Sequence, residues 1–332
     1  MSVIKNMHRY CKIKISGLYF LIAILALTGC RQADRAEDKI AAIELDLKLT
    51  RFDREFADSA PEDLPGLKEK YPFLFPSQYP DSLWIRKMQD TLQIELMEEV
   101  GRAFPNLNQV ETDLEELMKH IVYYFPRTRA PEVITLTSEV DYKNRVILAD
   151  SLLLIGLDNY LGADHRYYAG MDRYIAQDLD PRFLTSDVAS AYAHKLVEYP
   201  ANRNFLARMI YYGKILFLKD KWMPASTDGE KIHYSEEQLA WAEANEEEIW
   251  RYFIEKEVLY STDQELGPRF LEPAPFSKFR LELDNESPGR LGRYVGWKIV
   301  RSFMENNKIR LQEMIALPAE EIFKNSKYKP NK

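Results

Sequence analysis

Apolar residues recur at two spacings along the chain, and each spacing predicts one type of secondary structure. Helical spacing predicts four helices, over residues 83–104, 114–124, 183–196 and 205–216. Short apolar or β-branched runs predict three strands, over residues 133–137, 146–149 and 151–157. The last run does not alternate with polar residues, so we expect that strand to be covered on both faces. The predicted fold class is α+β, mostly α-helical with a small β-sheet.

Two local signals predict further helices in the C-terminal third. Ser235 and Gln238 have the spacing of a capping box, and a helical pattern of apolar residues follows them as far as Phe253. Gly292 and Gly296 are four residues apart, so they share one face of a helix. We expect the backbone of another element to approach that face closely.

A segment rich in prolines and aromatic residues, residues 61–81, interrupts the helical pattern. Each proline removes a backbone amide donor, so we expect neither a regular helix nor a central strand there. The simpler interpretation is a loop packed on the surface, and the alternative is a surface that binds a partner.

The N-terminus has the pattern of a bacterial lipoprotein signal peptide. A basic stretch precedes the apolar run 15–27, and the sequence Leu-Thr-Gly-Cys ending at Cys30 is where such a signal is cut and its cysteine acylated. The alternative is an uncleaved anchor, although the run is shorter than the ~20 apolar residues of a spanning helix. The predicted organisation is a signal peptide over 1–29, a lipidated tether over 30–40 and a body over 41–332, with a helical part 41–130 and a second part 131–332.

Charge and cysteine content restrict the possible functions. The signal contains four basic residues and no acidic residue, so its removal changes the formal net charge from −7 to −11. A body this acidic argues against binding to nucleic acid and against electrostatic binding to anionic lipid. Cys11 leaves with the signal and Cys30 is acylated, so the body has no thiol for catalysis, metal binding or a disulfide. Membrane attachment therefore depends on lipid at Cys30, with the body on the periplasmic side of the inner or the outer membrane.

Candidate polar sites are few. Asp158, Asp164 and His165 follow the apolar run 151–157, where functional side chains often emerge, but the simpler interpretation is a hydrogen-bonded loop. His194 and Glu198 are four residues apart on a predicted helix, a spacing that suits two metal ligands or an ordinary surface contact. The sequence contains no His-Glu-x-x-His, Gly-x-Ser-x-Gly, Walker loop or dinucleotide fingerprint. We therefore predict no catalytic residue, no bound metal and no cofactor.

Four motifs occur together along the chain. They are Leu-Thr-Gly-Cys ending at Cys30, Gly-Leu-Asp-Asn-Tyr-Leu-Gly at 156–162, Met-Ile-Tyr-Tyr-Gly-Lys at 209–214, and Gly-Arg-Tyr-Val-Gly-Trp-Lys-Ile-Val-Arg-Ser-Phe-Met-Glu-Asn at 292–306. In combination they resemble the gliding-motility lipoprotein family GldB of the Bacteroidetes, over essentially the whole mature chain. The resemblance implies a cell-envelope lipoprotein needed for gliding on surfaces and tied to the type IX secretion machinery, with no established enzymatic activity.

A more remote resemblance is to zincin-type metallopeptidases, which have a short sheet, an active-site helix and a glycine-rich C-terminal helix similar to residues 292–306. In those enzymes the active-site helix carries His-Glu-x-x-His, and a further glutamate precedes a glycine downstream. Here the helix around His194 lacks that motif, and Tyr212 precedes Gly213. The resemblance thus implies a degenerate zincin-like scaffold that lacks the metal ligands.

The leading hypothesis is a non-catalytic scaffold or assembly component of the gliding and secretion apparatus, with other envelope proteins as its partners. The alternative is a hydrolase, with or without a metal, whose site is built from Asp158, Asp164, His165 and His194. A third hypothesis, a carrier of envelope polymers, depends only on the tyrosines and tryptophans of the body.

Overall fold

A computed structural model describes residues 36–279 and 284–331, and it divides the chain into two units, Met1–Leu45 and Asp46–Lys332. In the first unit the described residues form a helix, α1, over residues 36–41. The predicted signal peptide, Cys30 and the first part of the tether lie outside the described residues. Within the described ranges, none of the helices combines the length and apolar character needed to cross a membrane.

The second unit contains a small sheet surrounded by helices. Its strands are β1 Leu49–Arg51, β2 Glu132–Leu136, β3 Val146–Ala149 and β4 Leu152–Gly156. The helices before and around the sheet are α2 Phe52–Ala57, α3 Leu64–Lys70, α4 Asp81–Gln89, α5 Thr91–Ala103, α6 Asn108–Tyr124 and α7 Arg173–Ala176. The later helices are α8 Leu184–Leu196, α9 Phe205–Trp222, α10 Asp228–Ile232, α11 Glu236–Ala244, α12 Glu246–Glu255, α13 Leu266–Phe270, α14 Leu291–Asn306, α15 Leu311–Ala316 and α16 Ala319–Ser326.

The sheet is mixed, with the strand order β1-β2-β4-β3. β2 pairs in parallel with β1 and β4, whereas β3 pairs with β4 in the antiparallel direction. Leu153 and Ile155 on one face of β4 are fully buried, and Leu152 and Leu154 on the other face are half-buried against a core cluster, as expected for a strand covered on both faces. The three predicted strands and the α+β, mostly helical class are confirmed.

The proline-rich segment contains a regular helix, so the prediction of a surface loop is wrong. Pro65 lies in the first turn of α3, where its missing amide hydrogen removes no helical hydrogen bond. Leu64, Tyr71 and Phe75 are buried and form a core cluster with Phe52. The segment therefore contributes to the core through its aromatic residues.

A local capping signal divides the first predicted helix. Asp90 lies between α4 and α5, and its carboxylate accepts the amides of Leu92 and Gln93 at 2.9 and 3.1 Å. Such a carboxylate caps the start of a helix, because it satisfies amides that have no partner within the helix. One amphipathic run thus becomes two helices.

Helix α9 packs closely against α14 through glycines, as predicted. A Cβ atom on Gly296 would overlap the carbonyl of Met209, and one on Gly213 would overlap the carbonyl of Gly296. The third glycine, Gly292, meets the side chains of Leu271 and Phe205. This close approach brings side chains at one end of the contact to the wall of a shared cavity.

Candidate functional site

A cavity of about 360 Å³ lies where α8, α9 and the start of α14 meet. On each of these three helices, the polar side chains that line the cavity are three, four or seven residues apart and therefore share one face. They are Asp187, Ser190 and His194 on α8, Tyr212 and Lys219 on α9, and Arg290 and Arg293 at the start of α14. Apolar side chains, including Ile215 and Leu216, complete the wall.

One carboxylate of the cavity is fully engaged by an arginine and a tyrosine. Asp187 accepts hydrogen bonds from Arg145 Nε at 2.6 Å and Nη2 at 2.9 Å, and from the Tyr160 hydroxyl at 2.8 Å. Burial alone would raise the pKa of Asp187, but the Arg145 guanidinium outweighs it and the pKa is lowered. Asp187 is therefore an ionised partner of Arg145 and is not available as a base.

The second carboxylate is engaged in the same way. Arg290 donates from Nη2 to Asp178 and from Nη1 to the carbonyl of His233 at 3.2 Å. Burial opposes ionisation of Asp178, yet Arg290 lowers the pKa of Asp178 well below its usual range. The His233 ring stacks on Phe183 with ring centroids 4.3 Å apart, which fixes its position beside both carboxylates.

Three cations of the cavity have no carboxylate within 4 Å among the described residues: Lys143, which is exposed, and Lys219 and Arg293, which are not. Lys219 is 3% exposed and donates to Ser186 Oγ and to the carbonyl of Lys231, both at 2.8 Å. Burial lowers the pKa of Lys219 to about 7 and that of Arg293 to about 10. A buried cation without a carboxylate partner is unfavourable, so Lys219 is the most unusual electrostatic feature of the cavity.

His194 lies at the wall with a tyrosine as its partner. Its Nδ1 is 2.7 Å from the hydroxyl of Tyr211. Burial lowers the pKa of His194, and the charges of Arg293 and Lys219 lower it further. The imidazole is therefore neutral near pH 7.

The other predicted site residues do not join His194. The carboxylate of Asp158 is buried, where it accepts the amides of Ser138 and Val140 at 2.8 and 2.6 Å. Asp164 is exposed, and His165 Nε2 lies 3.6 Å from a carboxylate oxygen of Glu99. The structure thus distributes these residues over separate places.

Glu198 does not pair with His194 on one helix, because α8 ends at Leu196. Glu198 lines a different cavity, of about 650 Å³, together with Tyr199 and Lys214. The described residues contain no group of three or more His, Cys, Asp or Glu side chains placed to hold a metal ion.

The sequence analysis missed the basic residues of the cavity. They are Lys143, Arg145, Lys219, Lys231, Arg290 and Arg293, which are separated by up to 150 positions and form no motif. One signal was present for Lys219. It follows Ile215, Leu216 and Leu218 in a helix that is apolar on nearly all sides, so its ammonium group had to be buried.

The fold and the cavity define a mostly helical α+β protein with a charged internal site and a glycine-mediated contact between two long helices. The family model of gliding motility protein GldB matches residues 33–330. The chain therefore belongs to the GldB family, which supports an envelope lipoprotein involved in gliding motility. No curated protein and no solved structure matches the chain.

Proposed function

We propose that the chain is a lipoprotein, anchored to the cell envelope through Cys30, that acts as a non-catalytic assembly component of the gliding and type IX secretion machinery. The family match over residues 33–330 supports a role in gliding motility. The Leu-Thr-Gly-Cys sequence at Cys30 supports the anchor. The likeness to zincins stays a prediction.

The observation that carries the non-catalytic part is the arrangement of Ser190 and His194. They are four residues apart on α8 and both line the cavity, but Ser190 Oγ donates to the carbonyl of Ser186 at 3.0 Å. A catalytic serine requires a base within hydrogen-bond reach, and that base requires an orienting group. Here His194 contacts the hydroxyl of Tyr211, and both cavity carboxylates are held by arginines.

The donor set of the wall also differs from that of a hydrolytic zinc site. Such a site uses three nitrogen, oxygen or sulfur ligands around the metal with one open position. The wall offers two imidazoles: His194 has Ser190 at the i−4 position and shares the wall with Tyr212, whereas His233 lies beside two carboxylates that arginines already hold. Hydroxyl groups of serine and tyrosine are poor replacements for imidazole and carboxylate, which argues for a scaffold.

The test uses a gliding strain that lacks the chain and is complemented with variants expressed at matched levels. The wild type, Ser190→Ala and His194→Gln should restore colony spreading and secretion of a type IX cargo, because no chemistry depends on these side chains. Cys30→Ser should fail to restore either. Crosslinking of the wild type in cells should capture other envelope proteins of the machinery.

The hydrolase alternative makes the opposite prediction. If Ser190→Ala or His194→Gln accumulates normally, melts as the wild type does and still fails to restore spreading, the non-catalytic proposal is wrong. Normal spreading with Cys30→Ser would show that a lipid anchor at Cys30 is not required for this role.

A further inference from the structure

We propose that the cavity between α8, α9 and α14 binds a small organic oxyanion, whose carboxylate or phosphate group lies between Lys219 and Arg293. The proposal does not rest on the assembly role described above. It rests on unpaired charge, on unused hydrogen-bond donors and on the size of the cavity.

The charged side chains described in the cavity wall are only partly paired. Each acidic side chain of the wall already has an arginine partner, Arg145 with Asp187 and Arg290 with Asp178. Lys231 is also paired, since its Nζ is 3.3 Å from Asp220. Lys219 and Arg293 thus carry positive charge that no carboxylate within 4 Å balances among the described residues, because Asp187 and Asp178 act on it only from a greater distance. An anion from outside would balance it, and the low dielectric of the site would strengthen the attraction.

Two arginines of the cavity have nitrogen donors without a hydrogen-bond acceptor among the described residues. Arg290 is 8% exposed, and its Nε is buried without a hydrogen-bond partner in the described part of the chain. Arg293 donates from Nε to the carbonyl of Leu271, whereas its two terminal nitrogens have no acceptor among the described residues. A buried donor without an acceptor, such as Arg290 Nε, is rare in folded proteins and calls for an explanation, which a bound ligand would supply here.

Contacts within the chain hold the guanidinium of Arg293 in one orientation. The guanidinium of Arg293 lies over the ring of Tyr212, with its Cζ 4.0 Å from the ring centroid. Together with the bond to Leu271, this stacking fixes the plane of the guanidinium. A fixed guanidinium with two free nitrogens suits bidentate recognition of a carboxylate or phosphate.

The size and the lining of the cavity suit a small organic molecule. The volume of about 360 Å³ falls within the range of small-molecule sites and exceeds what one inorganic ion fills. Ile175, Ile215 and Leu216 supply apolar wall beside the cations. The site therefore suits an organic molecule whose anionic group meets the cations and whose carbon skeleton meets the isoleucines and the leucine.

The test is a calorimetric titration of the full chain in uncharged detergent with two probes, inorganic phosphate and succinate. Sodium chloride is titrated at the same ionic strength, because general screening would otherwise resemble binding. We expect saturable binding of at least one probe and a higher melting temperature in its presence. Binding of phosphate alone would identify a phosphate ligand, and binding of succinate alone a carboxylate ligand.

Variants locate the site. Lys219→Met and Arg293→Met should each weaken probe binding by about tenfold or more, as expected for loss of a charged hydrogen-bond donor. Arg251→Gln on α12, where the side chain is half exposed, should leave binding unchanged. Arg293→Lys keeps the charge and loses the fork, so it should bind more weakly than the wild type and more tightly than Arg293→Met.

Three results would overturn the proposal. They are binding of neither probe by the wild type, an equal effect of chloride, and full binding by folded Lys219→Met and Arg293→Met variants. The first two need only the wild type, so they decide the matter even if a variant does not fold. None of them bears on colony spreading, which tests the assembly role separately.

Discussion

Gly213 of α9 and Gly296 of α14 face each other with no side chain between the two helices. A Cβ atom on Gly213 would lie 2.9 Å from the amide nitrogen of Trp297 and closer still to the carbonyl of Gly296. Because both helices are buried here, neither backbone has room to move away.

Gly296→Ala and Gly213→Ala should therefore each lower the free energy of unfolding by about 1–3 kcal/mol, through overpacking of the helix contact. Urea denaturation midpoints measure this loss. The matched control is Gly101→Ala in α5, where an added Cβ meets nothing within 4 Å. That variant should gain up to about 1 kcal/mol from helix propensity. A gain in all three variants would show that the contact is not close.

Local patterns predicted much of the fold. β3 begins and ends where its apolar run does, and α8 and α9 start within one residue of their predicted positions. Apolar residues alternate over 45–56, which predicts a short strand or an amphipathic segment, but β1 is only three residues long and pairs with β2 across more than 80 positions, so the local pattern could not fix its bounds or its partner. The helix α3 was missed because the prolines were counted without regard to position, and Pro65 lies where a helix tolerates proline.

The candidate site was much less predictable. Asp158 attracted attention as a polar residue after a strand, but its carboxylate binds backbone amides. The basic side chains of the cavity come from the residues before β3, from α9 and α10, and from the start of α14. A charged residue in sequence is normally taken as solvent-exposed, and for Lys219 the one contrary signal was the apolar sequence of α9 around it.

Cys30→Ser should prevent both signal cleavage and labelling with a radioactive fatty acid, because only a thiol at the cleavage site accepts the lipid. Gel migration and label incorporation in cells measure the two effects. Cys11→Ser is the matched control and should be labelled normally, since Cys11 lies in the predicted signal peptide. A labelled Cys30→Ser protein would place the lipid elsewhere.

Asp158→Asn should lower stability by about 1–3 kcal/mol. Each carboxylate oxygen of Asp158 now accepts a backbone N–H, and asparagine would replace one of these oxygens by an NH2 group that cannot accept. The loop that Asp158 holds includes Val140, whose φ of 58° is unfavourable for a β-branched residue. Asp164→Asn is the matched control at an exposed position and should change stability by less than about 0.5 kcal/mol. Denaturant midpoints distinguish the two. Equal midpoints for both variants would contradict the structural role of Asp158.

Treatment with a chelator should leave the melting temperature of the purified chain unchanged. The described residues contain no group of three metal-ligating side chains, and loss of a structural zinc would remove several kcal/mol from the folded state. Thermal denaturation with and without EDTA tests this, together with metal analysis of protein purified without added metal. Stoichiometric zinc that is lost in His194→Ala would contradict the prediction.

Stability should rise between pH 7 and pH 9.5, because of two buried lysines. Burial lowers the pKa of Lys219 to about 7 and that of Lys214 to about 8, whereas an unfolded lysine titrates near 10.4. In this interval the unfolded chain binds more protons than the folded chain, so raising the pH favours folding, by up to about 1.4 kcal/mol per pH unit for each lysine.

Lys219→Met should reduce the slope and raise stability at pH 7, where the ammonium is otherwise buried without a carboxylate. Ser186 Oγ can still donate to the carbonyl of Lys231 in that variant, so it creates no new unpaired group there. Lys308→Met, at an exposed position, is the control and should leave the slope unchanged. Urea midpoints at half-unit pH steps measure the slopes, and an unchanged slope in Lys219→Met would mean that Lys219 does not titrate in this range.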